Sequence, residues 1–461
     1  MNEATNAGHG TGLRRFTPYP AYRDSGVDWL GEIPSTWDCT RLRTVAHVNP
    51  TAWKPSGKAD EEINYLAIAD VEGGGSALNP QRLLAVDAPA AAHLSVQPAD
   101  VFVSRVRTYL GAIGIVREDM GGLVLSGAFA VLRPNQAIDS RFLCWLVRSA
   151  PFLAEVSRRS KGVTWPAINP DELSDIRVPL PPLATQAAVA ALLDRETAII
   201  DALAAKREKL IGLLQEKHSS LITQTVTKGL DPNVPLKSSG EQWLGEIPIH
   251  WDTSAVKRTA RRGHKTFTDG DWIEAPFITN DGIRLIQTGN VGIGQYKEQG
   301  FRYISNHTFR ELGCTEVCPR DVLICRLDGP VGRACLAPGL GVRMITSVDN
   351  SILKVNETNN DPRFLVYFMS SWPWLEWIQS ICRVGGGFRF RISRSMLGSL
   401  VVAVPPLREQ KRIADRLDSE SEKIIGLADK VREGVEYLEE FRTALIAAAV
   451  TGKIDVREEV A

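Results

Sequence analysis

One long segment occurs twice in this chain without a gap in either copy. The first copy is PPLATQAAVAALLDRETAIIDALAAKREKLIGLLQEKHSSLITQTVTKGLD from Pro181; the second is PPLREQKRIADRLDSESEKIIGLADKVREGVEYLEEFRTALIAAAVTGKID from Pro405. Gln186 answers Gln410 and Leu193-Asp194 answers Leu417-Asp418, all at an offset of 224 positions. Neither copy holds a proline between its opening Pro-Pro and its closing glycine, and strong helix formers dominate both. A Pro-start, Gly-stop frame around such a run predicts one uninterrupted helix in each copy. About 45 residues rising ~1.5 Å each give a rod on the order of 65 Å.

Each rod carries an apolar track at a 3.5-residue period. In the second copy it is Ile413, Leu417, Ile424, Leu427, Val431, Leu438, Phe441 and Leu445, interrupted at Glu420 and Gly434. In the first it is Val189, Leu193, Ile200, Leu203, Leu210, Leu214 and Leu221. Such a stripe calls for a partner helix, and the other copy is the available one, which predicts an intramolecular antiparallel coiled coil. The alternative is two separate long core helices.

A second repeat precedes each rod. DSGVDWLGEIPSTWDCTRLRTVA from Asp24 is matched by SSGEQWLGEIPIHWDTSAVKRTA from Ser238, pairing Trp29 with Trp243 and Trp37 with Trp251 at an offset of 214. Proline stiffens a turn here and paired tryptophans cover it, so the segment is expected to clasp a globular module against a rod. The offset grows from 214 to 224 along the chain, so the second module is ten residues longer than the first.

The two modules diverge but keep one skeleton. Asp100 to Arg105 corresponds to Asp321 to Arg326, each a short strand running into a glycine-bearing turn; further strands follow at Ala128 to Leu132 and Ser351 to Val355. A single helix is expected in each from the N-caps Asp139 and Asp361, and a strand at Ile176 or Leu400 closes each module. The fold class read from this is α+β: two α/β globular modules in tandem and two long helices forming an antiparallel coiled coil, a pseudo-twofold dumbbell. Its expected segments are a flexible lead over 1–22, a first module over 23–180, a central long helix over 181–231, a second module over 232–404 and a C-terminal long helix over 405–455.

Lys plus Arg and Asp plus Glu both number 54, so global charge does not point to nucleic acid, and any such role must use local patches. No apolar run is long enough for a membrane span and the first twenty residues lack a signal-peptide core, so a cytoplasmic protein without membrane contact is expected. The seven cysteines form no CxxC pair; reduced core thiols are expected rather than a metal site among Cys314 to Cys335 and His307.

No catalytic constellation is present. The sequence has no GxxxxGK[ST], HExxH or GxSxG, and each Pro-Pro follows Leu180 or Val404 rather than the Asn or Asp of an adenine-methylating site. What remains are basic and aromatic patches. The first module offers Arg105, Arg107, Arg158, Arg159 and Lys161, running into Gly162-Val-Thr-Trp165. The second offers Lys265, Arg326, Arg389, Arg391 and Arg394 around the glycines 385–387, with Lys257, Arg258, Arg261, Arg262 and Arg383 nearby. Arginine both grips phosphate and reads guanine edges, so these are the candidate DNA-binding residues.

The twice-repeated WLGEIP with its following Trp, the twice-repeated Pro-Pro-Leu opening with Gln186 or Gln410, and the closings Thr227-Lys-Gly and Thr451-Gly-Lys together resemble the DNA-specificity subunit of Type I restriction-modification enzymes. The resemblance runs from Trp29 to about Asp455. It implies two target recognition domains, each reading one half of a split asymmetric site in double-stranded DNA, about one helical turn (~34 Å) apart. It further implies spacer helices that dock two methyltransferase subunits, and restriction-translocase subunits beyond them. No cofactor is expected in this chain; S-adenosylmethionine, ATP and Mg are expected on the partners. A non-catalytic protein-binding scaffold is the alternative reading, and a self-sufficient methyltransferase is disfavoured by the missing motifs.

Overall fold

The computed structural model describes residues 16–58, 60–72, 77–108, 111–162, 164–385 and 389–457. The chain divides into two compact units: residues 1–207 with 433–461, and residues 208–432. The two rods are single helices, Leu183–Lys228 and Leu407–Val450, and each unit contains one half of each.

The first unit is built around a four-stranded antiparallel sheet in the order Ile113–Ile115, Val101–Ser104, Phe129–Pro134, Ala46–Val48. A second sheet runs Gln81–Leu84, Glu62–Leu66, Leu123–Ser126, Ala92–Ser95, with its central pair parallel. Asp38–Arg41 pairs with Arg177–Leu180, tying the start of the module to its end. Val101, Val103, Ala130 and Leu132 point from the first sheet into a core shared with Phe142, Leu146 and Phe152, and with Val189, Leu193, Leu445 and Ala449 of the rods. Alternation on a strand supplies one face of that core and helical spacing the other.

The second unit repeats the first sheet strand for strand: Ala334–Leu336, Val322–Cys325, Asn350–Leu353, Phe267–Asp269. Its second sheet keeps the parallel pair, Ile283–Ile286 with Met344–Thr346, but its outer strand Ile278–Thr279 pairs with Tyr303–Ile304 on the opposite edge from the first unit's Ala92–Ser95. The heads therefore share a frame and differ at the rim.

Within each unit the rod halves pack antiparallel. In the first, Arg442 Nε meets Asp201 at 2.9 Å and Arg207 Nη1 donates to the Gly434 carbonyl at 2.6 Å. In the second, His218 Nε2 lies 2.8 Å from Ser421 Oγ, beside Leu214, Ile424 and Ala428. The expected seam needs correction at its middle: Leu203, Leu210 and Leu427 are 40–48% exposed, and Ala428 is buried in place of Leu427. A straight helix turns every 3.6 residues, so a 3.5-residue track drifts by ~20° per heptad and its central members rotate outward. Gly434, which breaks the track, admits Arg207: a Cβ there would lie 2.3 Å from its Nη1.

Two further expectations are corrected. The single helix after each N-cap is two helices, Ser140–Arg148 then Ala150–Arg159, and Pro362–Met369 then Trp372–Ile381. Pro151 and Pro373 cannot donate the i→i−4 bond, and Ser149 and Ser371 take extended backbone at the break. The N-caps are as expected, Asp139 accepting from Arg141 N and Phe142 N, and Asp361 from Arg363 N. The lead expected to be flexible through residue 22 is ordered where described. Tyr19 is 5% exposed with its ring edge-on to Trp37 at 5.7 Å, and Thr17 O accepts from Asp455 N at 2.7 Å. Residues 1–15 of that lead lie outside the described residues.

Candidate nucleic-acid interface

The repeated glutamines fix each head to its rod. Gln186 and Gln410 are fully buried. Gln186 Oε1 accepts from Asp139 N at 2.7 Å, and its Nε2 donates to Ala137 O and Pro181 O. Gln410 does the same to Asp361 N at 2.8 Å, Asn359 O and Pro405 O. One amide thus satisfies three backbone groups where the module helix and the rod both begin, which neither an acid nor an apolar side chain can do.

Asp194 and Asp418, also paired by the repeat, make the second joint. Asp194 accepts from Trp145 Nε1 at 2.8 Å and Arg141 Nε at 2.9 Å; Asp418 accepts from Tyr367 OH at 2.7 Å and Arg363 Nη1 at 2.6 Å. Burial, with Asp418 beside it, pushes the Tyr367 hydroxyl well above its usual range.

The WLGEIP elbows make the third. Each seats the end of a rod: Lys453 Nζ donates to Glu32 O at 2.6 Å, and Lys228 Nζ to Glu246 O at 2.7 Å. Gly452 and Gly229 have φ of +75° and +80°, and a Cβ on Gly452 would lie 2.4 Å from Pro34. Glycine is required for the left-handed turn at both, and at Gly452 for the close approach as well.

The sequence-predicted DNA-binding residues fall into distinct environments. In the first unit, Arg158 and Arg159 are held by the buried Glu155 at 2.7 and 2.6 Å, and hydrogen bonding to Arg158 keeps that carboxyl below its usual range. Lys161 is exposed and paired with Glu172 at 2.7 Å. Arg105 Nε donates to Gly127 O at 2.8 Å. Arg107 lies with its guanidinium 3.5 Å over the ring of Trp165, which is 55% exposed. Its φ of +51° is rare for a side-chain-bearing residue and costs on the order of 1 kcal/mol.

In the second unit, Arg326 is 4% exposed, its Nη1 donating to Ile392 O at 3.2 Å and its Nε 3.2 Å from Asp269. Burial lowers its pKa from the usual value. Such a group holds the loop that carries it. Arg391 is half exposed and paired with Asp349 at 2.9 Å; Arg394 is exposed and 3.5 Å from Thr268 Oγ1; Lys265 Nζ is 3.5 Å from Gly313 O. Arg389 sits on a hairpin strand paired with Gly385. The expected glycine loop at 386–388 lies outside the described residues.

In each unit one pair of segments carrying some of these basic residues is bridged in a similar way, forming a lip. In the first, Val106 and Lys161 both bridge to Ala167, and Arg107 N donates to Pro166 O. In the second, Leu327 bridges to Arg391 and Asp328 N donates to Phe390 O. Sequence reading missed these acidic partners because Glu155, Glu172 and Asp349 carry no motif. The flanks below the lips also differ. The second unit has a largely apolar cleft of about 920 Å³ lined by Ile222, Ile293, Trp372, Leu375 and Ile425, while the first has a mixed one of about 450 Å³ where Trp145 and Leu153 face Asp194, Asp201 and Arg442. No helix among the described residues is long and apolar enough to cross a membrane.

Two modules of one frame, each joined in the same way to a long helix pair, define an internally duplicated fold. Residues 34–211 match the Type I restriction modification DNA specificity domain. A protein of Methanocaldococcus jannaschii provisionally named the type I restriction enzyme MjaX specificity subunit is 24% identical over 93% of this chain and 96% of its own. The EcoKI specificity subunit of Escherichia coli is 25% identical over 67% of this chain and 64% of its own. A solved chain from a study of complex assembly and conformational transition of the type I R-M system has the same fold, with a TM-score of 0.75 at 20% identity over 92% of this chain and 99% of that one. The HsdS subunit from Thermoanaerobacter tengcongensis matches with a TM-score of 0.57 at 20% identity over 92% and 98%. Residues 34–211 thus match the Type I specificity-domain family, and most of the chain is similar to specificity subunits of Type I restriction enzymes.

Proposed function

We propose that this chain is the sequence-reading, non-catalytic subunit of a Type I restriction-modification complex, each head reading one half of a bipartite asymmetric site in double-stranded DNA. The observation that carries this is the contrast between frame and rim. The joints at Gln186 and Gln410, Asp194 and Asp418, and the two elbows are the same in both copies, whereas the lip residues and outer strands differ. A common frame with unlike rims is what an asymmetric site requires of a duplicated reader. On this reading residues 23–180 and 232–404 are the target recognition domains, and 181–231 and 405–455 are spacers that set the gap and dock two modification subunits. Restriction-translocase subunits complete the complex in the cytoplasm, and S-adenosylmethionine, ATP and Mg belong to the partners. A protein-binding scaffold is not favoured, because the relatives are named specificity subunits.

Duplex binding separates the two. The chain alone should shift random DNA weakly and lose it as salt rises, and should gain sequence discrimination with its modification partners. Equal methylation by the partners without this chain would end the proposal.

A further inference from the structure

We propose that Arg107, stacked on Trp165, is a specificity-determining residue of the first head and reads a guanine through its major-groove edge. The inference rests on the DNA-reading function proposed above and adds which residue reads and what it reads.

Of the candidate cations whose side chains are described, most are spent within the protein. Arg158 and Arg159 share Glu155, Lys161 has Glu172, Arg391 has Asp349 and Arg326 is buried. Among the described residues, no hydrogen bond or ion pair engages the Arg107 guanidinium; its contact is the indole face at 3.5 Å. A guanidinium lying on an aromatic ring is held by cation–π attraction through its face, which leaves its edge donors available. Those donors form the fork that matches the O6 and N7 acceptors of guanine.

The backbone beneath the pair is tied together by hydrogen bonds. Lys161 and Ala167 exchange both backbone hydrogen bonds, at 2.9 and 3.0 Å, and close the hairpin that carries Trp165. Arg107 N donates to Pro166 O and Ile168 N to Arg105 O, each at 2.9 Å, so both partners hang on one backbone ladder. The positive φ of Arg107 is a standing cost that this ladder maintains, and its effect is to fix where the side chain starts. A fork fixed in advance loses little freedom on binding, which favours discrimination over general attraction.

The matching place in the second head is occupied differently. Three residues after Val322–Cys325 stands Asp328, as Arg107 stands three after Val101–Ser104, and its Oδ1 accepts from Phe390 N at 2.7 Å. The same position carries a cation stacked on an indole in one head and an anion that closes the lip in the other. The guanine reader therefore belongs to the first half-site.

The test is methylation of a duplex library, randomised across both half-sites, by the complete complex carrying wild type, Arg107→Lys or Arg107→Ala. The lysine variant keeps the charge and loses the fork. Both variants should relax one guanine position in the first half-site by roughly ten- to a hundredfold, leaving the second half-site as stringent as before. That unchanged second half reports that the complex is folded; if Arg107→Ala does not assemble, Arg107→Lys alone decides. A uniform loss of affinity with every position still read would make Arg107 a phosphate contact and overturn the inference. Relaxation at an A·T position would overturn it too. Neither result touches the DNA-reading function, which fails only if methylation ignores both half-sites with wild-type chain present.

Discussion

Replacing Gln410 by leucine isolates the joint on which each head depends. The side chain is fully buried and makes three hydrogen bonds to backbone: Asp361 N at 2.8 Å, Pro405 O at 2.8 Å and Asn359 O at 3.1 Å. Leucine is of similar size, so the packing term is small and the loss is polar. Three net bonds at ~1 kcal/mol each give about 3 kcal/mol, rising toward ~5 kcal/mol if the stranded Asp361 N–H finds no water. In a unit of this size that shift lowers the midpoint of thermal unfolding by ~6–12 °C. Trp251 and Trp374 are buried in the second unit, so tryptophan fluorescence during a thermal ramp reports on it. Hydrogen exchange should speed up first at the Asp361 amide. Gln186→Leu should do the same to the first unit at the Asp139 amide. A change below ~0.5 kcal/mol in either variant would show that these amides do not hold the heads.

Three other outcomes follow from the geometry. Gly452→Ala, strained by φ and set 2.4 Å from Pro34, should destabilise its unit by ~2 kcal/mol or more, and Gly229→Ala, whose nearest contacts are at 3.3 Å, by less; equal melting shifts would contradict this. Burial holds the His218 pKa below its ordinary 6.5, so the unfolded chain takes up the proton first. Stability from this site is full above pH 6.5 and falls as pH drops through the lower folded value; urea titrations should show this slope in wild type and lose it in His218→Gln. Asp418→Ala removes the acceptor of both Tyr367 OH and Arg363 Nη1 and should cost ~1–2 kcal/mol, read as a lower urea midpoint with an unchanged slope.

The frame was legible in the sequence because its signals are local or duplicated. Pro-Pro and glycine bounded both rods, Asp139 and Asp361 announced their caps, and the 224-residue offset paired Gln186 with Gln410 before any contact was known. Pro151 and Pro373 are equally local signals, and each marks the break between its two module helices. What could not be read depends on partners distant in the chain. Tyr19 is ordered by Trp37 and by the chain's own far end at Asp455, and Arg326 is buried by Ile392 and Asp269. Ten basic residues look alike in the sequence; burial and the acids and carbonyls opposite them decide which are committed. Arg107 stands apart through the ring of Trp165, a contact across more than fifty residues that no spacing rule encodes.

The central claim is that each head reads its own half of one site. Its most direct test is methylome sequencing of cells carrying the complete system, with residues 23–180 exchanged for the corresponding head of a relative of different specificity. The account predicts a hybrid motif in which one half changes while the other half and the spacing stay as they were. A motif that is unaltered, or that changes in both halves at once, would contradict it.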